Sequence, residues 1–211
     1  MINRVKIIET AKKYIGIKEG SAAHKRLVNY YNKVKPDGYT AKITDDWCAI
    51  AITAWCVEAY GAKIAKSRFP LNASCPRMIT KAKLMHIWQE RDELIPAPGD
   101  FILYDWQDSG KGDNRGTPDH VGLVTSCNGK IIKVVEGNKS NAVGIREIPV
   151  NAKYIRGYVT PEYMYYNDRI DRLAREVLAG KYGNGKARKD ALGADYEEVQ
   201  KRVNEILKEG R

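Results

Sequence analysis

A change of hydropathy rhythm near residue 100 constrains this chain more than any other feature. Before it, apolar residues recur at helical spacing. After it they run in short, strand-like segments, and from Asp168 the helical spacing returns. Asn3 can cap a helix reaching about Ile15, with Val5, Ile8, Ala11 and Ile15 on one face. Ser21 can start a second helix with Leu27, Val28 and Tyr31 inward, and Pro36-Asp37-Gly38 is a turn signal that makes the stretch to Asp46 a loop. A third helix runs from about Trp47 to Tyr60 and stops at Gly61, and a fourth covers about Pro76 to Glu90. Strands follow at Phe101–Tyr104, His120–Thr125, Lys130–Val135, Gly144–Val150 and Tyr154–Val159, with Asn128-Gly129 as a two-residue hairpin turn. Helices first and strands later indicate an α+β domain, N-terminal helices packed on a small antiparallel sheet. This reading places one domain at residues 1–162, a connector at 163–167 and a small three-helix bundle at 168–211.

At 211 residues the chain holds one ordinary domain and an appendage. No apolar stretch approaches the roughly 18–20 residues that cross a bilayer, so no transmembrane segment is expected. Charge interrupts the apolar residues of Met-Ile-Asn-Arg-Val-Lys, which argues against a secretory signal and for synthesis in the cytoplasm. The net charge is +10, of which +8 falls on the first 166 residues. Such a field attracts polyanions: nucleic acid, an acidic membrane surface or an anionic cell-wall matrix. No nucleic-acid readout motif and no aromatic ladder accompanies the basic residues, so no nucleic-acid partner is expected. The cysteines at 48, 56, 75 and 127 show neither CxxC nor zinc-ribbon spacing. Four free thiols are expected, one of them reactive, with Cys56 and Cys127 as small core residues and Cys75 packing beside Pro76.

Cys48 is the reactive candidate because it opens the apolar run Cys48-Ala-Ile-Ala-Ile-Thr-Ala-Trp-Cys-Val directly after Asp45-Asp46-Trp47. A thiol at a helix start sits among unpaired N–H groups and the positive end of the dipole, and both favour the thiolate. His120 opens a strand in Pro118-Asp119-His120-Val-Gly, and Val135-Glu136-Gly137-Asn138 follows. Nucleophile, base and a polar orienting group thus occur in a workable order. Cys48 would attack an amide carbonyl, with its own N–H a natural donor to the oxyanion. His120 would protonate the departing amine and then activate water, while Glu136 would fix the ring tautomer. His24 and His86 lie on expected helices away from these motifs and are read as structural.

Trp47-Cys48-Ala49, Pro98-Gly99-Asp100, Asp119-His120-Val121-Gly122 and Val135-Glu136-Gly137-Asn138 together resemble the CHAP family of cysteine, histidine-dependent amidohydrolases/peptidases common in phage lysins. The resemblance covers roughly residues 1–160. It implies a papain-like α+β fold and cleavage of an amide bond in peptidoglycan, as N-acetylmuramoyl-L-alanine amidase or as stem-peptide or cross-bridge endopeptidase. It also implies Cys48 as nucleophile, His120 as base, and Glu136 with Asn138 as polar partners. Many members carry a polar residue before the cysteine, where this chain has Trp47, which is expected to contact substrate. Some members bind calcium. Asp37, Asp45 and Asp46 offer oxygen ligands, but no regular Asp-x-Asp-x-Asp loop is present and no cofactor is expected.

The tail, with its Gly-Lys-Tyr182-Gly-Asn184-Gly turn followed by Arg188, resembles the CW-seven cell-wall-binding repeat of phage lysozymes and other lysins. That resemblance implies muropeptide as the anchoring ligand, with Tyr182 stacking on a sugar and Asn184 and Arg188 supplying polar contacts. Taken together the expectation is a wall hydrolase made in the cytoplasm and acting on the wall after release. The rival classes are a non-catalytic wall-binding protein and, on charge alone, a nucleic-acid binder.

Overall fold

The computed structural model describes residues 2–110, 114–163 and 168–209. Helix α1 (Arg4–Lys12) is capped by the Asn3 side chain, which accepts from the Val5 N–H. Its buried face is the expected one only in part. Ile7, Ile8 and Ala11 point inward, whereas Val5 and Ile15 are exposed. The helix ends at Lys12, and the chain turns so that Ile15 no longer continues the stripe. Ser21 caps α2 (Ala22–Asn32), which buries Leu27, Val28 and Tyr31 as the sequence indicates.

Helix α3 (Cys48–Tyr60) has almost no polar side, and all but Glu58 and Tyr60 of it is buried. A helix apolar all round must be surrounded. Here α1, α2 and the short α4 (Ala62–Arg68) flank it, and the sheet closes the remaining side. Helix α4 was not evident in the sequence pattern. Helix α5 (Cys75–Leu84) stops six residues short of the expected end, because His86 takes a left-handed conformation and Trp88–Gln89 becomes strand β1.

The remaining strands are β2 (Phe101–Tyr104), β3 (His120–Cys127), β4 (Ile131–Glu136), β5 (Gly144–Pro149) and β6 (Ile155–Val159). They form one antiparallel sheet in the order β1-β6-β2-β3-β4-β5. Strand alternation divides the core. Phe101, Leu103, Val121, Leu123 and Val135 face the helices. Ile102, Tyr104, Val124, Ile132, Val134 and Tyr158 build a second cluster on the opposite face. The architecture is therefore α+β, helices on an antiparallel sheet.

The tail comprises α6 (Asp168–Leu178), α7 (Lys186–Leu192) and α8 (Tyr196–Glu209), closed around Ile170, Ala174, Val177, Leu192, Val199, Val203 and Ile206. It docks on the β3–β4 hairpin. Arg175 donates to the Cys127 carbonyl at 2.5 Å, and a Cβ on Gly129 would fall 2.9 Å from the Ala179 nitrogen. The expected connector at 163–167 lies outside the described residues apart from Tyr163, which is buried and donates to the Gly99 carbonyl.

Candidate active site

Three elements bring the expected residues together. Cys48 is the first residue of α3, His120 the first of β3 and Glu136 the last of β4. Trp47 gives α3 no side-chain cap, so the first turn keeps its N–H groups for other acceptors. One of them, from Ala49, points to the Cys48 sulfur. Two glycines make the assembly sterically possible. A Cβ on Gly122 would meet the Glu136 side chain at 2.8 Å and Val134 at 2.3 Å, so Glu136 crosses β3 where no side chain stands. A Cβ on Gly137 would meet Ala51 at 2.4 Å, so that glycine lets the end of β4 approach α3.

The His120 Nε2 lies 3.2 Å from Glu136 Oε2, and the Glu136 side chain is fully buried. With Nε2 occupied, Nδ1 is the nitrogen left for the Cys48 sulfur, which hydrogen-bonds the ring. Burial alone would lower the His120 pKa, but the Cys48 and Glu136 anions outweigh it and raise it to about 9. The Cys48 thiol is held down to about 5. The largest cause is a hydrogen bond from Cys75, whose sulfur is 3.9 Å away, followed by His120, both working against burial. The two opposed shifts favour the thiolate–imidazolium form of the pair. Cys48 and His120 retain 6% and 9% of their exposure, so the pair meets little competing water.

Two participants were not read from the sequence. Arg146, on β5, places Nε 2.6 Å from Glu136 Oε1, and its guanidinium lies over the Trp106 and Tyr104 rings at 4.7 and 5.5 Å. Burial raises the Glu136 pKa, yet His120 and Arg146 together bring it below the ordinary carboxylate value. The second is Cys75. It does more than pack beside Pro76, because it faces the nucleophile. The sequence held one signal for it: Cys75, like Cys48, opens a helix.

Other expected members stand elsewhere. Trp47 does not present a face to substrate. It is fully buried, its indole N–H donates to Glu19, and its ring lies 4.5 Å from that of His24. It is a platform under the site. Asn138, in a left-handed conformation, donates from its side-chain amide to Asp46 at 3.4 Å, and among the described residues the carboxylate that meets the imidazole is Glu136. His24 is buried and accepts from the Gly20 N–H, while His86 is exposed, and neither joins the site.

In the tail, Arg188 is held by the Gly183 carbonyl, Asn184 Oδ1 and Gln200 Oε1. With Asn184 it lines a cavity of about 400 Å³ between the Gly-rich turn and α8. Tyr182 is not among the lining residues. Its hydroxyl donates to Glu176 and its ring packs on the bundle core.

Comparison with known families bears on this tail. The CW_7 repeat family model matches residues 171–207, which run from α6 into α8 and include the Arg188 cavity. The chain therefore carries a cell-wall-binding repeat. No curated protein and no solved structure matches the chain.

Proposed function

We propose that this protein is a cysteine amidohydrolase that cleaves an amide bond in bacterial peptidoglycan and is kept on its substrate by the C-terminal repeat. The observation that carries the reading is the line Cys48–His120–Glu136, drawn from α3, β3 and β4 and held in a nearly closed environment. The line sits in an α+β domain of helices on an antiparallel sheet, which supports the CHAP reading, and the C-terminal repeat points to the wall as the substrate class.

The Cys48 thiolate attacks the amide carbonyl carbon, and the oxygen charge that develops meets the N–H groups of the uncapped first turn of α3. The carbon–nitrogen bond breaks as the imidazolium passes its Nδ1 proton to the departing amine. The neutral ring then takes a proton from water, and the hydroxide displaces the sulfur from the thioester. Glu136 keeps Nε2–H engaged throughout, so the ring neither flips nor loses its charge early. Arg146 acts through Glu136 as a positioning residue. It holds the carboxylate ionised in a site from which water is largely excluded.

Digestion of purified walls, followed by mass analysis of the fragments, tests the reading. New free lactyl carboxyls on muramic acid identify N-acetylmuramoyl-L-alanine cleavage. New peptide amines with the sugar link intact identify a stem or cross-bridge bond. No new amide-derived ends from the native chain, with binding to walls retained, would leave a wall-binding protein without catalysis.

A further inference from the structure

Cys75 makes and breaks no bond in the reaction set out above, yet its sulfur lies 3.9 Å from the nucleophile. Both residues open helices, α3 and α5, so two helix N-termini converge on this pair of sulfurs. Both are nearly buried, at 6% and 5% exposure, and neither is bridged. A disulfide requires a sulfur–sulfur separation of about 2.05 Å, so the two side chains need to close by roughly 2 Å. Rotation about side-chain bonds covers such a distance without moving a helix. Packing alone asks for no thiol at position 75, since alanine or serine would occupy similar space.

We infer that Cys48 and Cys75 are a reversible disulfide pair, a modification site at which a peroxide withdraws the nucleophile from service and a thiol reductant returns it. In the first step the Cys48 thiolate attacks the peroxide oxygen–oxygen bond and becomes a sulfenic acid, releasing water or an alcohol after protonation. In the second, the Cys75 sulfur attacks the Cys48 sulfur, the sulfur–oxygen bond breaks and water leaves. Two electrons pass from the two sulfurs to the peroxide, and both thiol protons end in the products. A dithiol reductant reverses the change by exchange, taking up the oxidation as its own disulfide.

The order of events follows from charge. While Cys48 is a thiolate, Cys75 stays protonated, its pKa driven well up by the hydrogen bond it gives that anion and by burial. Conversion of Cys48 to the neutral sulfenic acid removes the neighbouring charge, and Cys75 becomes the better nucleophile at the moment it is needed. The other two cysteines are not poised in this way. Burial raises the thiol pKa of both Cys56 and Cys127.

The inference rests on the Cys48 thiolate and is independent of what the enzyme cuts. The test uses the full chain, reduced, freed of reductant, exposed to hydrogen peroxide near neutral pH, and quenched with N-ethylmaleimide before non-reducing peptide mapping. The expected product is a Cys48–Cys75 cross-linked peptide, with two of the four cysteines closed to alkylation and both reopened by dithiothreitol. Cys75→Ser should instead carry Cys48 to the sulfinic acid, which dithiothreitol does not reverse. Recovery of Cys48 as sulfinic or sulfonic acid beside an alkylated Cys75 in the native chain would overturn the inference. So would a Cys48 that peroxide leaves unchanged, in which case Cys75 is a hydrogen-bond donor only. Since mapping reads the native chain directly, a cross-link without any wall hydrolysis would uphold this inference while removing the proposed activity.

Discussion

Around Cys48 four charges alternate in sign, thiolate, imidazolium, carboxylate and guanidinium, and the inner two each face an opposite charge on either side. Under the tail the arrangement is different: one buried carboxylate, Asp171, faces the guanidiniums of Arg175 at 2.9 Å, Arg202 at 2.5 Å and Arg4 at 3.7 Å. An alternating line suits proton movement, because a proton shifted along it exchanges partners without stranding a charge. A single anion among cations gains nothing by moving a proton and serves to fix geometry. Arg4 comes from α1 and Arg175 also reaches the Cys127 carbonyl, so this cluster ties the repeat to the α+β domain. Burial disfavours the Asp171 anion, but Arg175 and Arg202 hold its pKa below the ordinary carboxylate value.

The largest effect separating the two regions is expected from Cys48→Ala or His120→Ala. Each should reduce wall lysis by at least ~10³-fold, since the members of such a unit fail together. Co-sedimentation with intact walls should not change. A proportional loss of co-sedimentation would merge the two regions into one function.

Asp171→Asn attacks the other cluster. The three arginines then lose the buried carboxylate they share, while Arg202 keeps its contact to Glu205 at 3.1 Å, and the cost of breaking a buried pair is about 3–5 kcal/mol. Chemical or thermal unfolding would read it directly. The sign with pH is fixed by the depressed carboxylate. Its stabilisation is present above the unfolded-state value and is lost as pH falls through the folded-state one. Wild-type protein should therefore lose stability in acid more steeply than Asp171→Asn. A variant as stable as wild type near neutral pH would show the junction to be ornamental.

A smaller effect is expected at the orienting carboxylate. The pH profile of lysis should rise through about 5 as Cys48 ionises and fall through about 9 as His120 loses its proton. Glu136→Gln removes one of the anions that raise His120, so the alkaline limb should move to lower pH and the maximal rate should drop by ~10²-fold. An unmoved alkaline limb would mean that Glu136 only fills space. The smallest change is expected from Arg188→Ala in the tail cavity. Losing one charge-assisted hydrogen bond corresponds to roughly tenfold weaker wall binding, with cleavage of soluble wall fragments unaffected.

Legibility in the sequence followed the range of the interactions. Caps at Asn3 and Ser21, the Asn128-Gly129 turn and the strand periods all depend on neighbours within a few residues, and they stand nearly as expected. The fourth helix was overextended because Met85 to Glu90 keeps an acceptable helical pattern, while the pull on Trp88 comes from Val159 on β6. Val5 and Ile15 were placed inward because a stripe drawn through α1 ignores where its neighbours sit. At the site, Cys48, His120 and Glu136 were legible because each opens or closes an element. Arg146 was not, since an arginine alternating outward on a strand differs in no local respect from a solvated one.

What the residues dictated unaided was most of the elements and their order, all but α4 and β1, together with the helix-start sulfur and the repeat at the C-terminus, matters of short-range spacing and residue chemistry. Only the assembled molecule decided that Trp47 is buried on Glu19 and His24, that Asn138 reaches Asp46, that Cys75 faces Cys48 and that Arg146 holds Glu136. Those four outcomes depend on strand register and on the packing of α3 and α5 against their surroundings. Such contacts join residues far apart in the chain, and the chain encodes them only through the sum of its buried surfaces.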